Sequence, residues 1–269
     1  DSGFLAIGYG KMGGLELGYG SDLDMVFLHG NEDPGAMTDG QRVVANDVFY
    51  VRMGQRMIHM FTTRTPSGIL YEIDMRLRPN GNSGMLVSPI AAFERYQREE
   101  AWTWEHQALL RARPVAGDSA LASRFNAIRR EVLARPRDPR RLRDDVREMR
   151  EKMRAALDKS GAGQFDIKQG AGGIADIEFM VQYAVLRWAA EYPDLLDWTD
   201  NIRLLETLAR HRLLQDGCAE MLSAIYRALR AAYHRNALGE LPGLIQDGQM
   251  AEERTIVREL WASLMLAAD

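Results

Sequence analysis

The sequence predicts an α+β domain at residues 1–117, followed by an all-helical bundle domain at residues 118–269. In the first third of the chain, short apolar runs alternate with glycine-rich loops, which is typical of buried strands joined by turns. In the remainder, apolar residues recur at helical spacing over long segments. Hydrophobic residues make up 46% of the 269 residues, enough for one large core or two smaller ones.

The elements of the first domain follow from its apolar runs and its glycine and proline residues. Residues 41–61 predict a helix, because apolar side chains recur there at close to helical spacing. Ser88 and Pro89 predict the start of another, since the hydroxyl can cap a helix and proline has no N–H to lose there. The other predicted elements are strands at 4–9, 22–29, 69–78 and 85–87, and a glycine loop at 10–21 with a short helix around 15–17.

The rest of the chain predicts helices, with a glycine-rich break at residues 160–176. The charged segment 135–154 mixes basic and acidic residues, some of them four apart, which favours a solvated helix face over a nucleic-acid-binding one. The predicted helices span residues 88–113, 118–134, 138–157, 175–191, 200–214, 217–237 and 250–267.

Composition excludes several classes of protein. The net charge of -4 argues against a nucleic-acid partner. No run approaches the ~18 apolar residues of a membrane span, so we expect no membrane contact. The single cysteine, Cys218, leaves no internal disulfide, and we expect a cytoplasmic location. The chain begins with Asp1 rather than Met, and we expect it to be cut from a longer protein.

Two aspartates stand at the start of the second apolar run. Residues two apart in a strand point to the same side, so Asp22 and Asp24 share a face while Leu23 and Met25 turn the other way. Two carboxylates this close repel each other unless a cation lies between them, and Mg²⁺ is the natural cation for oxygen ligands. The alternative is a strand-end cap at Asp22 and a surface residue at Asp24.

The glycine loop that precedes these aspartates is a candidate nucleotide-binding segment. Glycines let backbone N–H groups approach a phosphate without interference from a Cβ atom. We expect Gly13, Gly14 and Ser21 to contact the nucleotide, with Lys11 supplying a counter-charge.

The predicted strand at 69–78 supplies a third carboxylate, Asp74, together with Arg76 and Arg78 on the same face. Asp74 would complete a two-metal clamp with the first two aspartates, and the arginines could pair with triphosphate oxygens. The alternative is a salt bridge between Asp74 and Arg76 on an open sheet face. The two-metal pattern predicts transfer of a nucleotidyl group to an acceptor hydroxyl, with Asp74 as metal ligand or base and pyrophosphate as the leaving group.

A second glycine loop opens the long helix after the break. Lys168, Gln169, Gly172 and Gly173 could bind a phosphate at the helix N-terminus. The alternative, a tight interdomain turn with ordinary helix capping, is favoured by the residues alone.

The pattern of paired glycines, Ser-Asp-x-Asp and a later aspartate resembles the nucleotidyltransferase fold of the DNA polymerase β superfamily. Four longer motifs are similar to the glutamine synthetase adenylyltransferase family of bacteria. They are GYGKMGGLELGYGSDLDMVFLH, YEIDMRLRPNGNSGMLV, EAWTWEHQALLRARPVAGD and FDIKQGAGGIADIEFMVQY.

The resemblance implies one of the two related halves of that family, each a nucleotidyltransferase domain with a helical bundle. One half removes AMP by phosphorolysis and the other adds AMP from ATP to a tyrosine of glutamine synthetase. Ala175 and Asp176 favour the adding half, because the removing half usually has a more basic pattern there. By resemblance, Asp22, Asp24 and Asp74 hold two Mg²⁺ ions, or Mn²⁺, with ATP as substrate.

The same resemblance names a PII-type signalling protein as a partner and glutamine as an effector. Three other readings stay open: the AMP-removing half, a non-catalytic regulatory module that binds a PII-type protein, and a nucleic-acid nucleotidyltransferase. The complete set of three aspartates argues against the second reading, and the acidic net charge argues against the third.

Overall fold

The computed structural model describes residues 3–69 and 71–266. The chain divides into two compact units, Asp1–Leu133 and Ala134–Asp269. None of the described helices is both long enough and apolar enough to cross a membrane.

The first unit is built on a small mixed sheet, which confirms the predicted α+β class. Its central strand, β2 (Leu23–His29), is antiparallel to β1 (Phe4–Gly8) and parallel to both β3 (Ile73–Asp74) and β4 (Val87–Pro89). The last strand, β5 (Arg113–Gly117), is antiparallel to β1. The strand order is β3-β2-β1-β5, with β4 also paired to β2.

Among the residues that the structure describes in this unit, five α-helices accompany the sheet: α1 (Gly10–Gly13), α2 (Asn46–Thr62), α3 (Ile90–Glu99), α4 (Thr103–Leu110) and α5 (Ser119–Leu133).

The helix α2 covers one face of the sheet. Leu23 and Met25 join Tyr50 in the buried apolar cluster on that face, which confirms that they turn away from Asp22 and Asp24. At Gly54, a Cβ atom would lie only 2.8 Å from a methyl group of Val87, so the glycine lets α2 approach the sheet closely.

The helix α5 packs with the first unit, although the sequence analysis places the domain boundary at Gly117. The buried guanidinium of Arg129 donates hydrogen bonds to the carbonyls of Leu109 and Leu110, at 3.2 and 2.6 Å. The rings of Phe125 and Phe93 lie 5.7 Å apart. The unit therefore extends to Leu133, because an amphipathic helix must bury its apolar face and α5 buries it here.

The strand predicted at residues 69–78 is much shorter than expected. Leu70 lies outside the described residues, and among the described residues of this range only Ile73 and Asp74 form a strand, with turns after it. The backbone N–H of Arg76 donates to the Asp74 side chain at 2.8 Å. This local bond competes with a sheet hydrogen bond, which explains why the strand stops there.

Two other local predictions differ from the structure. The short helix expected around residues 15–17 lies at Gly10–Gly13 instead. The helix expected over 88–113 is two helices, and the Glu105 side chain accepts the backbone N–H of Trp102 at 2.9 Å to begin the second one.

The second unit is mainly helical, as predicted. The helix α7 (Ile174–Trp188) is buried along most of its length and contacts the other four α-helices that the structure describes in this unit. The prediction of an all-helical domain was wrong in one respect, because β6 (Gln164–Asp166) and β7 (Leu244–Gln246) form a two-stranded antiparallel sheet. The helices are α6 (Pro139–Leu157), α7 (Ile174–Trp188), α8 (Asn201–Arg210), α9 (Cys218–Leu238) and α10 (Ala251–Trp261), with a π-helical turn at Ala262–Leu266.

Candidate functional site

Three carboxylates converge at one end of the sheet in the first unit. Asp24 lies directly opposite Asp74 in the parallel pairing of β2 and β3, and Asp22 precedes Asp24 by two residues. One carboxylate oxygen from each of the three side chains lies within 4.8 Å of the others. Asp22 is exposed, and the other two are partly buried. The fold therefore brings Asp22, Asp24 and Asp74 together, as the sequence predicts.

The three carboxylates present the donor set that a hard divalent cation prefers. Mg²⁺ and Mn²⁺ take oxygen ligands and usually keep further positions for water or phosphate. Like charges at this separation repel each other, so a cation among them lowers the free energy of the cluster. The residues therefore fit a divalent metal ion.

Arg76 contacts this cluster through Asp74. Its Nε donates to Oδ1 at 3.0 Å and to Oδ2 at 2.7 Å, and its Nη2 forms an ion pair with Oδ2. The hydrogen bond from Arg76 is the largest of the causes that lower the pKa of the Asp74 carboxyl below its usual range. This is the salt bridge that the sequence analysis left open as the alternative.

Arg78 has different hydrogen-bond partners from Arg76. Its guanidinium donates to three backbone carbonyls, those of Met75, Asn82 and Gly84, at 2.7, 3.2 and 3.3 Å. It therefore holds the turn that follows β3. The two arginines do not share a strand face, because the strand ends at Asp74.

Gly10 brings the glycine loop against Asp24, and sequence reasoning overlooked it. Its φ of 50° is in the left-handed region, and a Cβ atom there would lie 2.2 Å from Asp24 Oδ2. The preceding residue, Tyr9, donates its backbone N–H to the Asp24 carbonyl at 2.8 Å. Gly10 could have been found as the first glycine after a predicted strand.

Gly13 and Gly14 are required by packing against Arg111. A Cβ atom on Gly13 would lie 1.9 Å from the Arg111 carbonyl oxygen. One on Gly14 would lie 2.5 Å from Arg111 Nη2. Their contact with a nucleotide stays a prediction.

Two arginines from the ALLRAR motif support this loop, and sequence reasoning assigned them no role. Arg111 forms a buried ion pair with Glu16. Arg113 donates from Nε to the carbonyl of Gly13 at 3.1 Å and from Nη2 to that of Met12 at 3.2 Å. Positive charge at the carboxyl end of α1 complements the orphan carbonyls there. Their position in a long family-like motif was the available signal.

Lys11 and Ser21 meet across the loop. Lys11 Nζ lies 3.5 Å from Ser21 Oγ, which also accepts the Gly18 N–H at 3.2 Å. Ser21 is buried and directly precedes the exposed Asp22, so Lys11 contacts the residue next to the cluster.

The second glycine loop, in the other unit, is bound to its own carboxylates. The N–H groups of Lys168 and Gln169 both donate to Asp166 Oδ1 at 2.9 Å. The N–H of Gly172 donates to Asp176 Oδ2 at 2.7 Å. These donors already have anionic partners within the chain, which favours the tight-turn reading.

The glycines of this loop are also explained by close packing. Gly172 has a φ of 88°, and its Cβ atom would lie 2.4 Å from the Arg254 carbonyl oxygen. A Cβ atom on Gly173 would lie 2.7 Å from the Ile167 carbonyl oxygen. No side chain larger than hydrogen fits at either position without a shift of the backbone.

Asp176 lies at the centre of a buried ionic network. Its Oδ1 accepts hydrogen bonds from Arg150 Nε at 2.6 Å and from Arg154 Nη2 at 2.7 Å. Arg150 also donates to the backbone carbonyl of Gln169 at 2.8 Å. The network ties α6 to the start of α7 and fixes the loop between them.

Comparisons with known proteins agree with the motifs. Residues 1–128 match the family model of glutamate-ammonia ligase adenylyltransferase, and residues 140–238 match that of GlnD PII-uridylyltransferase. Three relatives are each named bifunctional glutamine synthetase adenylyltransferase/adenylyl-removing enzyme. The protein of Nitrosococcus oceani is 54% identical over 98% of this chain. Those of Pseudomonas putida and Hahella chejuensis are 52% and 53% identical over 99% and 97% of it.

The chain is a relative of these bifunctional enzymes.

The resemblance to the adenylyltransferase family is thereby confirmed. The chain spans 27–28% of the length of these three relatives. The residues that match the adenylyltransferase model include all three clustered aspartates, the first glycine loop and both arginines that support it. The second glycine loop falls in the part that matches the uridylyltransferase model.

Proposed function

We propose that this chain is an adenylyltransferase domain that moves AMP from ATP to a tyrosine hydroxyl of glutamine synthetase. The observation that supports it most is the convergence of Asp22, Asp24 and Asp74 beside a glycine loop. That cluster lies within the residues that match the adenylyltransferase family model. The names of the relatives supply the acceptor protein.

In this proposal Asp22, Asp24 and Asp74 hold two Mg²⁺ ions, with Mn²⁺ as a substitute. Ions bound there would neutralise the triphosphate and favour ionisation of the attacking hydroxyl. Lys11, Ser21 and the N–H groups of Gly13 and Gly14 would face the phosphates.

The chemistry is an in-line displacement at the α-phosphorus. The tyrosine oxygen forms a bond to the α-phosphorus as the bond to the bridging oxygen breaks, and pyrophosphate leaves with that electron pair. The hydroxyl proton passes to Asp74 or to solvent. Asp74 lies on β3 opposite Asp24 of β2, and Asp22 precedes β2.

The helical unit is proposed as the regulatory part. Its match to the PII-uridylyltransferase family supports contact with a PII-type protein, and glutamine is the proposed effector.

The adenylyl-removing reaction is the second candidate, since the relatives are named for both activities. In that reaction phosphate attacks the tyrosine-linked AMP and ADP is released. The same carboxylates would serve, so the direction must be measured.

Intact-mass spectrometry of glutamine synthetase tests the proposal. The unmodified enzyme is incubated with this chain, ATP and Mg²⁺, and a gain of one AMP per subunit is expected. Asp22→Asn and Asp24→Asn should abolish the gain while circular dichroism shows an unchanged fold. Full activity in either variant would refute the metal assignment.

A second arm separates the two reactions. Adenylylated glutamine synthetase is given phosphate and the same chain. Loss of AMP in this arm, without gain in the first, would identify the removing half. No change in both arms would refute a self-sufficient catalytic domain and favour a regulatory module.

A further inference from the structure

The Arg76 guanidinium binds both carboxylate oxygens of Asp74, one of which lies within 4.8 Å of an oxygen of Asp22 and of Asp24. The Arg76 backbone N–H also donates to one of the Asp74 oxygens at 2.8 Å. The side chain of Asp74 is 15% exposed, whereas that of Arg76 is 72% exposed. The arginine thus covers the carboxylate from the solvent side.

A divalent ion held by all three aspartates needs an oxygen of Asp74. Both oxygens of Asp74 already accept hydrogen bonds from Arg76. This bidentate contact is the strong form of an arginine–carboxylate pair. An ion and a guanidinium cannot both take the same lone pairs at full strength. Binding of the ion by Asp74 therefore competes with the ion pair.

The Arg76 side chain can be displaced from its position, whereas the Arg78 side chain is fixed. Arg78 is anchored on three backbone carbonyls of a turn. The Arg76 guanidinium hydrogen-bonds only to Asp74 among the described residues, and the charges of Asp22 and Asp24 also act on it. An arginine displaced from Asp74 stays beside the cluster, where an ion-bound phosphate would offer it a new two-point partner.

We propose that Arg76 couples metal binding to nucleotide binding, by occupying Asp74 until a phosphate draws it away. This inference rests on the proposed function, since it needs the three aspartates to bind a divalent ion. Metal alone must displace the arginine and is bound weakly. A metal ion and a nucleoside triphosphate together relieve the competition, so each strengthens the binding of the other.

The test is a titration of the full chain with Mn²⁺, in which electron paramagnetic resonance reports the free ion. Each protein is titrated with the metal alone and again with α,β-methylene-ATP, which cannot transfer AMP. The variants are Arg76→Gln, Arg76→Lys and, as a matched control for loss of charge, Arg56→Gln. Arg56 is exposed on α2, and no described contact joins it to the carboxylates. Asp24→Asn establishes which binding belongs to the cluster.

Arg76→Gln should bind Mn²⁺ alone about two- to fivefold more tightly than the parent chain, the range for loss of an exposed ion pair. It should bind the nucleotide analogue more weakly, so that the coupling between the two ligands shrinks. Arg76→Lys keeps the charge and loses the bidentate contact. Its affinities for Mn²⁺ and for the analogue should lie between those of Arg76→Gln and of the parent chain. Arg56→Gln should match the parent chain.

Three results would overturn the proposal. If Arg76→Gln binds Mn²⁺ alone no more tightly than the parent chain, the competition does not exist, although the metal site itself stands. If Arg56→Gln shows the same gain, the effect is long-range charge. If the parent chain shows no Mn²⁺ binding that Asp24→Asn removes, the metal site fails and the coupling fails with it.

Discussion

Gly10→Ala isolates the contact between the glycine loop and the clustered aspartates. The new Cβ atom would lie 2.2 Å from Asp24 Oδ2, and ordinary contact begins at 3.4 Å. The carboxylate oxygen must therefore move by roughly 1 Å, a displacement that can cost about 100-fold in rate. The left-handed φ of 50° adds about 1 kcal/mol of strain for a residue with a Cβ atom.

Gly20→Ala is the matched control. Gly20 lies in the same loop with a φ of 68°, but a Cβ atom there meets nothing within 4 Å. Both substitutions should lower the free energy of unfolding by about 1 kcal/mol, measured by urea denaturation. Only Gly10→Ala should weaken the proposed Mn²⁺ binding and abolish most of the proposed AMP transfer.

The reasoning is refuted if Gly10→Ala retains the metal affinity of the parent chain. It is also refuted if Gly20→Ala loses as much affinity, because the defect would then come from loop strain and not from the contact with Asp24.

Three further predictions concern stability. The buried ring of His29 has its pKa lowered by burial, with Asp47 acting in the opposite sense. The unfolded chain then takes up a proton that the folded chain does not, so stability should fall as pH drops below about 6.5. The melting temperature should therefore fall between pH 7.5 and pH 5, and it should fall less in His29→Gln than in the parent chain. Asp176→Ala leaves two guanidiniums without their carboxylate and should cost about 3 kcal/mol in urea unfolding. Asp144→Ala, which breaks an exposed pair, should cost under about 1 kcal/mol. Tyr9→Phe removes a buried hydroxyl that has no hydrogen-bond partner among the described residues, and should leave stability unchanged or raise it by up to about 1 kcal/mol. A melting-temperature decrease in Tyr9→Phe would contradict this.

The meeting of the three aspartates could be predicted because it depends on local rules. Alternation along a strand puts Asp22 and Asp24 on one side. Two carboxylates this close are stabilised by a cation, and Asp74 on another predicted strand is a natural third ligand for it. The register that sets Asp24 opposite Asp74 was supplied by the fold.

Contacts between distant segments could not be predicted in this way. The pair between Arg111 and Glu16 joins residues 95 positions apart, and Arg113 reaches back 100 positions to Gly13. Both depend on the pairing of β1 with β5, for which no local pattern exists. The two-stranded sheet of the second unit was missed because each strand has three residues, too few for a recognisable alternation.

The early end of β3 shows where periodicity alone misleads. Residues 73–78 alternate between polar and apolar types, which predicts a continuous strand. The Asp74 side chain accepts the backbone N–H of Arg76, two residues later, and alternation cannot reveal this competition. The same bond that ends the strand brings Arg76 to the carboxylate.

The shortness of β3 has a consequence for how the site assembles. Asp22 precedes the central strand and Asp24 is its second residue, whereas Asp74 is held by a two-residue ladder at the edge of the sheet. That ladder can open while β1, β2 and β5 stay paired, because local opening costs far less than global unfolding. The protein is then expected to exchange between a population in which all three carboxylates are together and one in which only two are. An ion that requires all three draws the chain toward the assembled form. Hydrogen exchange at β3 should slow when Mn²⁺ is added. Opening and closing of a sheet edge would then assemble the cluster without the movement of a whole domain.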